Sequence, residues 1–316
     1  MKSIVEKAMS QWGFDGADCR LVAARENRVY RIEKDGITYA LRLHRQGYCS
    51  DAELRCELQW MNAVSAGGLD VPAPITSTAG KMLHVIDGVA VDVLSWLEGE
   101  PLGKTGVPLK VNNRTATFHA IGREMARLHT ISDAWTLPEG FTRRRWDRDG
   151  LLGEMPIWDR FWDNPTLSTE DRELFLHMRA VAKSELTARK ADLDFGLIHA
   201  DLVRENVLIH EDKVQIIDFD DSGFGFRLFD VATTLLRNQT EPDYATLKQS
   251  LLTGYQSVRD LDLASLDLFI VLRALTYVGW IMSRMNEEGS QERNARFVTT
   301  ARSLTEAYLN RQAAWV

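Results

Sequence analysis

Alternating apolar and polar residues dominate the first hundred positions. In the run 37–43, large apolar residues alternate with polar or smaller ones, as in a strand with one buried face. The runs 21–32 and 37–43 are separated by a segment that ends in Asp-Gly at 35–36, and this dipeptide between two such runs predicts a β-hairpin. A second pair of runs, 81–86 and 89–97, is likewise separated by Asp-Gly. The pattern predicts a β-rich N-terminal region.

Helical spacing of apolar residues takes over further along the chain. A helix is predicted over 50–66, and the two glycines that follow it at 67–68 mark its end. A long helix is predicted over 169–191. Between these, helical spacing begins at about 113. A strand-loop-strand-turn-strand block follows over 195–219, and helical spacing resumes from about 228 to the end.

This order of elements predicts an α+β protein with two lobes. The β-rich N-terminal lobe is expected over 1–97, with a hinge at about 93–97, and the mainly helical C-terminal lobe over 98–316. The cleft between two lobes is the default place for a ligand.

Composition narrows the class of protein. The 316-residue chain has 45% hydrophobic and 26% charged residues, which excludes a disordered chain and a fibrous repeat. Asp and Glu number 45 against 38 Lys and Arg, a net charge of −7. We therefore expect no nucleic-acid partner held by bulk charge, although a local basic patch stays open.

Cysteine usage and apolar runs bear on the compartment. The three cysteines include no CxxC pair, which argues against a disulfide framework and against a zinc site. The N-terminal segment lacks the apolar core of a signal peptide. The longest apolar stretch, 268–282, contains Arg273 and is shorter than the ~20 residues that cross a bilayer, so it predicts a buried helix. We expect a cytoplasmic protein without a membrane partner; the oligomeric state stays open.

The most informative residues lie in the segment 197–230. It contains Asp201 in His-Ala-Asp, then Asn206, then Asp218 in Asp-Phe-Asp-Asp. Phosphoryl transfer needs a carboxylate that orients the attacking hydroxyl and accepts its proton, together with hard oxygen ligands for Mg²⁺. Asp201 can supply the first, and Asn206 and Asp218 the second. A hairpin through Glu211-Asp212 would bring these two metal ligands to the same open end.

Here the chain resembles the aminoglycoside phosphotransferase and choline kinase group of the protein-kinase-like superfamily. The resemblance rests on HxDxxxxN at 199–206 and on IIDFDD at 216–221. Within that group it looks most like the type II homoserine kinases and the bacterial stress-response Ser/Thr kinases, through ENRVY at 26–30, IDFDD and the DVA step at 230–232. It implies a two-lobed kinase-like fold, a packing role for His199 and a loop-fixing role for Asp230.

The resemblance also implies an ATP site in the N-terminal lobe. The family places a basic residue on the third strand, paired with an acid on the following helix. Arg42 takes that place, where relatives have lysine, and it is expected to steady the nucleotide phosphates. Glu57 is the expected partner, and Glu53, one helical turn earlier, is the alternative.

The rest of the nucleotide site is implied less directly. No GxGxxG is present, and the expected phosphate loop is the tip 23–27, which includes Asn27. In the hinge, adenine recognition is expected to use backbone groups, here those of Ser95 and Leu97. The roles of Asp220 and Asp221 stay open between a second metal or substrate contact and a cap of the following turn.

The acceptor side shows two features. The segment 141–162 is dense in arginine and tryptophan, and it either caps the acceptor pocket, with arginines receiving a carboxylate or phosphate, or packs on the helices. Arg273, Tyr277 and Trp280 share helical spacing, on a helix that by resemblance lines the acceptor pocket.

Together these features predict an ATP- and Mg²⁺-dependent phosphotransferase that acts on a hydroxyl of a small metabolite of the amino-acid or amino-alcohol type. Two alternatives stay open: a protein Ser/Thr kinase of the stress-response kind, and a nucleotide-binding pseudokinase that acts as a regulatory module.

Overall fold

The computed structural model describes residues 3–24 and 27–313. The chain divides into two compact units, and several separate stretches contribute to each. The first unit contains Met1–Pro101, Thr130–Arg143 and Val207–Asp220. The second contains Leu102–His129, Arg144–Asn206 and Asp221–Val316.

The strands and helices expected from the sequence follow one another in the expected order, and the helix that precedes the first strand was not predicted. The strands are β1 (Asp18–Ala24), β2 (Arg28–Lys34), β3 (Ile37–Leu43), β4 (Leu83–Ile86), β5 (Val89–Ser95), β6 (Glu100–Pro101), β7 (Arg145–Trp146), β8 (Phe195–Ile198), β9 (Val207–His210), β10 (Lys213–Ile216) and β11 (Gly223–Phe226). The helices are α1 (Ile4–Gln11), α2 (Asp51–Ala66), α3 (Arg114–Ala134), α4 (Arg148–Leu152), α5 (Thr169–Ala188), α6 (Arg227–Leu236), α7 (Tyr244–Gln256), α8 (Leu266–Trp280) and α9 (Ser290–Ala313). The predicted α+β class is confirmed.

The first unit is built on an antiparallel sheet with the strand order β1-β2-β3-β5-β4. Both predicted Asp-Gly hairpins are present: Asp35 and Gly36 have φ of 51° and 78°, and the turn between β4 and β5 repeats these values. Asp and Gly tolerate this left-handed conformation, which the tight hairpin turn requires. The run predicted over 21–32, with its tip at 23–27, forms the two antiparallel strands β1 and β2. Arg25 and Glu26, in the expected phosphate loop, lie outside the described residues.

The face of this sheet that bears Leu41 and Val91 is covered by α1. Met9 and Trp12 pack against Ile32, Leu41 and Val91, and all five side chains are buried. The following helix, α2, starts with a capping box, in which Ser50 and Glu53 exchange side-chain to backbone hydrogen bonds. These local signals explain why the helix begins at the predicted place.

A short second sheet explains why 207–220 belongs to the first unit. β9 and β10 form the predicted hairpin, in which Val207 pairs with Ile216, and β6 adds to its other side, with the order β10-β9-β6. The backbone N–H of Ile216 also donates to the carbonyl of Asp70 at 3.1 Å. These hydrogen bonds connect the β9–β10 hairpin to β6 and to Asp70, which both belong to the first unit.

The second unit is mainly helical. Its small sheet has the order β7-β11-β8. α8 is apolar and buried along nearly its whole length, as predicted for this stretch. Of the helices in residues 3–24 and 27–313, only the stretch Leu266–Arg284 is long and apolar enough to cross a membrane, and 78% of its most apolar window is buried inside the protein, as in a core helix.

Candidate active site

The loop after β8 is held in place by one carboxylate. Asp230, which is fully buried, accepts hydrogen bonds from the backbone N–H groups of His199 at 2.8 Å and Ala200 at 2.6 Å. Ala200 has a φ of 67°, an unfavourable value for a residue with a side chain. The two bonds to Asp230 stabilise this conformation, which turns the chain sharply just before Asp201.

The carboxylate of Asp201 is oriented from both sides. Its Oδ1 accepts a hydrogen bond from Nη2 of Arg273 at 2.6 Å, and its Oδ2 accepts one from Nδ2 of Asn206 at 3.1 Å. The side chain is 25% exposed, so a ligand can reach it. Burial raises the pKa of this carboxyl above its ordinary value, and Asp221 adds to that effect, although Arg273 opposes both. Each oxygen keeps a lone pair for a further hydrogen bond.

Asn206 presents an oxygen to a possible ligand. Both hydrogen bonds of its amide nitrogen go to Asp201, to the side chain and to the backbone carbonyl at 3.0 Å. The amide oxygen has no hydrogen bond among the described residues, and the residue is buried. A hard oxygen held in this way suits Mg²⁺. Asp218, the other predicted metal ligand, follows β10 by two residues and has a φ of 67°.

A metal site made of protein groups alone is not present in the described ranges. Among residues 3–24 and 27–313, no group of three or more His, Cys, Asp or Glu side chains could hold an ion. Mg²⁺ in phosphate-binding sites is held by one or two protein oxygens, together with water and the phosphates themselves. The amide oxygen of Asn206 and the carboxylate of Asp218 are each of the donor type that Mg²⁺ prefers.

A separate charged cluster lies inside the first unit, around Arg42. Asp92, directly opposite on β5, accepts hydrogen bonds from Nε and Nη2 of Arg42, both at 2.8 Å. Nη1 donates to Glu57 at 3.0 Å and to Asp220 at 3.3 Å. Glu57 is therefore the helix residue that contacts Arg42. Glu53 serves instead in the cap of α2.

Two more side chains extend the cluster. Nε2 of His44 lies 2.7 Å from Asp92, and the Arg143 guanidinium donates to Glu57 at 3.2 Å. Burial alone would lower the pKa of His44, but the Asp92 carboxylate outweighs it and raises this pKa. Burial would raise the pKa of Glu57, but Arg42 and Arg143 lower it. The charges thus keep one another ionised although they are buried.

The burial of Arg42 affects the phosphate contact predicted for this residue. Its side chain is 7% exposed, and carboxylates take up four of its hydrogen bonds. Asp220 makes the longest of these bonds and is, at 12%, the most exposed of the three carboxylates. A phosphate would have to compete with Asp220 first. The phosphate contact of Arg42 stays a prediction.

The other residues predicted to contact the nucleotide differ in whether their hydrogen-bonding groups are already occupied. The side chain of Asn27 is engaged at both ends, since its amide nitrogen donates to Asp220 and its oxygen accepts from the Arg45 backbone at 3.1 Å. The backbone N–H of Ser95 donates to Ala73 at 2.8 Å and is occupied. Leu97 has no hydrogen bond among the described residues, so its backbone groups can serve an adenine.

Sequence reasoning missed the side chains that complete these clusters. Asp92 is one of them, and its signal is an acidic residue at the centre of an otherwise apolar strand. In the arginine-rich segment 141–162, Arg143 is buried in the first unit and Arg144 pairs with Asp221 at 2.8 Å. Neither is a free receptor for an acceptor anion. The contact of Arg273 with Asp201 had no sequence signal beyond its helical position.

Comparison with known proteins places this geometry in a family. Residues 18–265 match the model of the phosphotransferase enzyme family. The homoserine kinase of Brucella abortus is 27% identical over 266 residues, which cover 82% of this chain and 76% of that protein. A solved structure of a microcompartment-associated aminopropanol kinase has a TM-score of 0.84 and 28% identity, with 97% of each chain covered.

A further solved structure is an amicoumacin kinase in complex with AMP-PNP, Ca²⁺ and Ami. It has a TM-score of 0.76 and covers 96% of this chain and 92% of its own, and its 20% identity shows a shared fold. The kinase-like fold and the family resemblance seen in the sequence are both confirmed. The match over most of the chain shows that this protein belongs to the phosphotransferase enzyme family.

Proposed function

We propose that this phosphotransferase uses ATP and Mg²⁺ to phosphorylate a hydroxyl group of a small metabolite of the amino-acid or amino-alcohol type. The observation that carries the proposal is the accessible Asp201 carboxylate, held by Asn206 and Arg273 on a loop that Asp230 fixes. The family match supports phosphoryl transfer. The related homoserine and aminopropanol kinases are named for small acceptors that carry a hydroxyl, and the related amicoumacin kinase was solved with AMP-PNP and Ca²⁺.

In this proposal Asp201 orients the acceptor hydroxyl and takes its proton. The acceptor oxygen forms a bond to the γ-phosphorus of ATP, and the bond from that phosphorus to the bridging oxygen of ADP breaks. Asn206 and Asp218 would hold Mg²⁺, which supplies charge neutralisation at the phosphates. Because burial raises the pKa of Asp201, the carboxylate is a better proton acceptor than an exposed aspartate.

Support for the two alternatives is weak. The relatives described above are kinases of small molecules by name, and none of them is a protein kinase. A regulatory pseudokinase would draw on Arg42 in place of lysine, but the chain keeps Asp201, Asn206 and Asp218. A cytoplasmic location remains part of the proposal, in keeping with the free Cys19 and Cys56.

The test begins with a library of small hydroxylated metabolites, in which ATP-dependent phosphate transfer is measured with the wild-type protein. Asp201→Asn should then lower kcat by about two orders of magnitude or more, the scale of a general base, at unchanged stability and AMP-PNP binding. Asp262→Asn, which changes an aspartate that is 51% exposed, is the matched control. Undiminished turnover in Asp201→Asn would refute the role.

The metal ligands need a binding measurement. Asp218→Ala should weaken Mg²⁺-dependent AMP-PNP binding in calorimetry, and Asn206→Ala should do so less, because an amide oxygen carries no net charge. Wild-type affinity in both variants would contradict the metal assignment.

A further inference from the structure

Two arginines converge on one phenol oxygen next to Asp201. Nη2 of Arg273 donates to the Tyr277 hydroxyl at 2.7 Å, and Nε of Arg237 donates to it at 2.9 Å. The oxygen of Tyr277 thus accepts two charged donors, and its own hydrogen must point to a third group. No protein group among residues 3–24 and 27–313 accepts that hydrogen. Tyr277 is buried, so its hydroxyl is largely removed from solvent.

The guanidinium of Arg273 also has N–H donors without a hydrogen-bond partner. It is fully buried, and its Nη2 group serves both Asp201 and Tyr277, while Nε and Nη1 have no partner. Three of the five N–H bonds of this arginine are therefore unused. Leaving a buried donor unpaired is destabilising, and more so when the donor is charged. A ligand that supplies acceptors would remove this cost.

Aromatic rings surround the same guanidinium. Its central carbon lies 4.6 Å from the ring centre of Trp158, 4.3 Å from that of Tyr277 and 5.2 Å from that of Phe229. The indole N–H of Trp158 is itself buried without a partner. Gly279 lets the Trp158 backbone approach α8, since a Cβ there would lie 2.0 Å from the Trp158 carbonyl oxygen. The rings hold the guanidinium of Arg273 in place, and its Nε and Nη1 groups stay without a partner.

Local charge is not balanced. Arg237 and Arg273 contribute two positive charges, and Asp201 contributes one negative charge. Asp221, another carboxylate that acts on Asp201, is already paired with Arg144 at 2.8 Å. One positive charge is therefore left beside the proposed catalytic carboxylate. A single anionic group on the acceptor would neutralise it, and an ammonium group would add to the imbalance.

We propose that Arg237, Arg273 and Tyr277 form an anion subsite for the carboxylate of the phosphate acceptor, which is then a hydroxy acid or a hydroxylated amino acid rather than an amino alcohol. The inference rests on the proposed function of Asp201. A carboxylate accepts hydrogen bonds at both of its oxygens, which matches the unused Nε and Nη1 donors of Arg273 and the hydroxyl hydrogen of Tyr277. Nη1 shares its carbon with Nη2, so the acceptor must be compact, with its hydroxyl a few bonds from its carboxylate.

The test compares acceptors that differ only in the carboxylate. L-Homoserine is paired with 3-amino-1-propanol, and L-threonine with 1-amino-2-propanol. For a pair that is phosphorylated, the acid should have a kcat/KM about 100-fold or more above that of its decarboxylated partner, because the partner leaves buried donors unpaired. Equal efficiencies, or a preference for the amino alcohol, would overturn the subsite and leave the proposed function intact.

Variants assign the selectivity to the subsite. Arg237 does not contact Asp201 in the structure, so Arg237→Gln should raise KM for the acid more than it lowers kcat and should shrink the ratio within a pair. Arg273→Met should shrink the ratio as well, with a lower kcat for every acceptor, because it also removes the 2.6 Å contact with Asp201. Arg172→Gln, which breaks a more exposed ion pair with Asp163, is the control and should leave the ratio unchanged.

Binding measurements separate the two proposals. Calorimetry is run on the full chain with L-homoserine, L-threonine, L-serine, L-lactate and glycolate. If no compound of the metabolite library is phosphorylated, the proposed function fails, but binding of one of these carboxylates that Arg237→Gln abolishes still supports the subsite. If none of them binds, or if binding is the same in Arg237→Gln, the subsite is refuted, and water is the partner of the unused donors.

Discussion

Asp92 gives the sharpest test of the charged cluster in the first unit. Its carboxylate is fully buried and accepts two hydrogen bonds from Arg42 at 2.8 Å and one from His44 at 2.7 Å. Burial would raise its pKa, but Arg42 and His44 hold this pKa far below the usual range of an aspartate. Asp92→Asn keeps the shape, removes the charge, and turns one acceptor oxygen into a donor that faces other donors.

The expected cost follows from what is left behind. Removing one partner of a buried ion pair destabilises a protein by about 3–5 kcal/mol, because the other charge stays buried without compensation. Arg42 keeps Glu57 and Asp220 as partners, which favours the lower part of that range. We expect Asp92→Asn to lower the free energy of unfolding of the first unit by about 3 kcal/mol.

Urea unfolding followed by far-UV circular dichroism and by tryptophan fluorescence measures this change. With a slope of about 2–3 kcal/mol per molar urea, the midpoint should fall by about 1–1.5 M. Trp12, in the core of the same unit, contributes to the fluorescence change. The control is Asp87→Asn, which removes the same charge from an aspartate whose ion pair with Lys7 is exposed, and which should change stability by less than about 0.5 kcal/mol.

A loss below about 1 kcal/mol for Asp92→Asn would refute the reasoning, since it would mean that water or a rearrangement satisfies Arg42 and His44. An equal loss in Asp87→Asn would also contradict it, because the effect would then follow from charge removal at any position and not from burial.

Two further predictions concern the same cluster. The pKa of His44 is raised above its ordinary 6.5, so the contribution of this residue to stability is complete below pH 6.5 and is lost as the pH rises through the pKa of the folded state. From pH 6 to 9, the free energy of unfolding should decline by at most about 1.4 kcal/mol per pH unit. An equal decline in His44→Gln would contradict this origin. Arg42→Met should weaken AMP-PNP binding or turnover markedly, and Arg42→Lys should retain part of both, because lysine keeps the charge but loses the planar set of N–H donors. In a double-mutant cycle of Arg42→Met with Glu57→Gln, the losses should not be additive. Full additivity would mean that the two side chains do not act as a unit.

The local features of this chain were readable because they depend on neighbouring residues. Asp-Gly at 35–36 and at 87–88 gives the tight hairpins, and Ser50 with Glu53 starts α2 where predicted. The kinase-like motif gave Asp201, Asn206 and Asp218 as candidates because their chemistry is defined by residue type and spacing along a single segment.

Tertiary structure decided which charges meet. Arg42 faces Asp92 because β3 pairs with β5 and not with β4, an order that no alternation pattern specifies. Arg273 reaches Asp201 across 72 positions of sequence, on a helix that is buried almost all round and so gives no pattern for the direction of one side chain. Sequence patterns record periods of two or 3.6 residues, whereas the partner of a buried charge depends on how distant elements pack, and that packing sets which acceptor the site can hold.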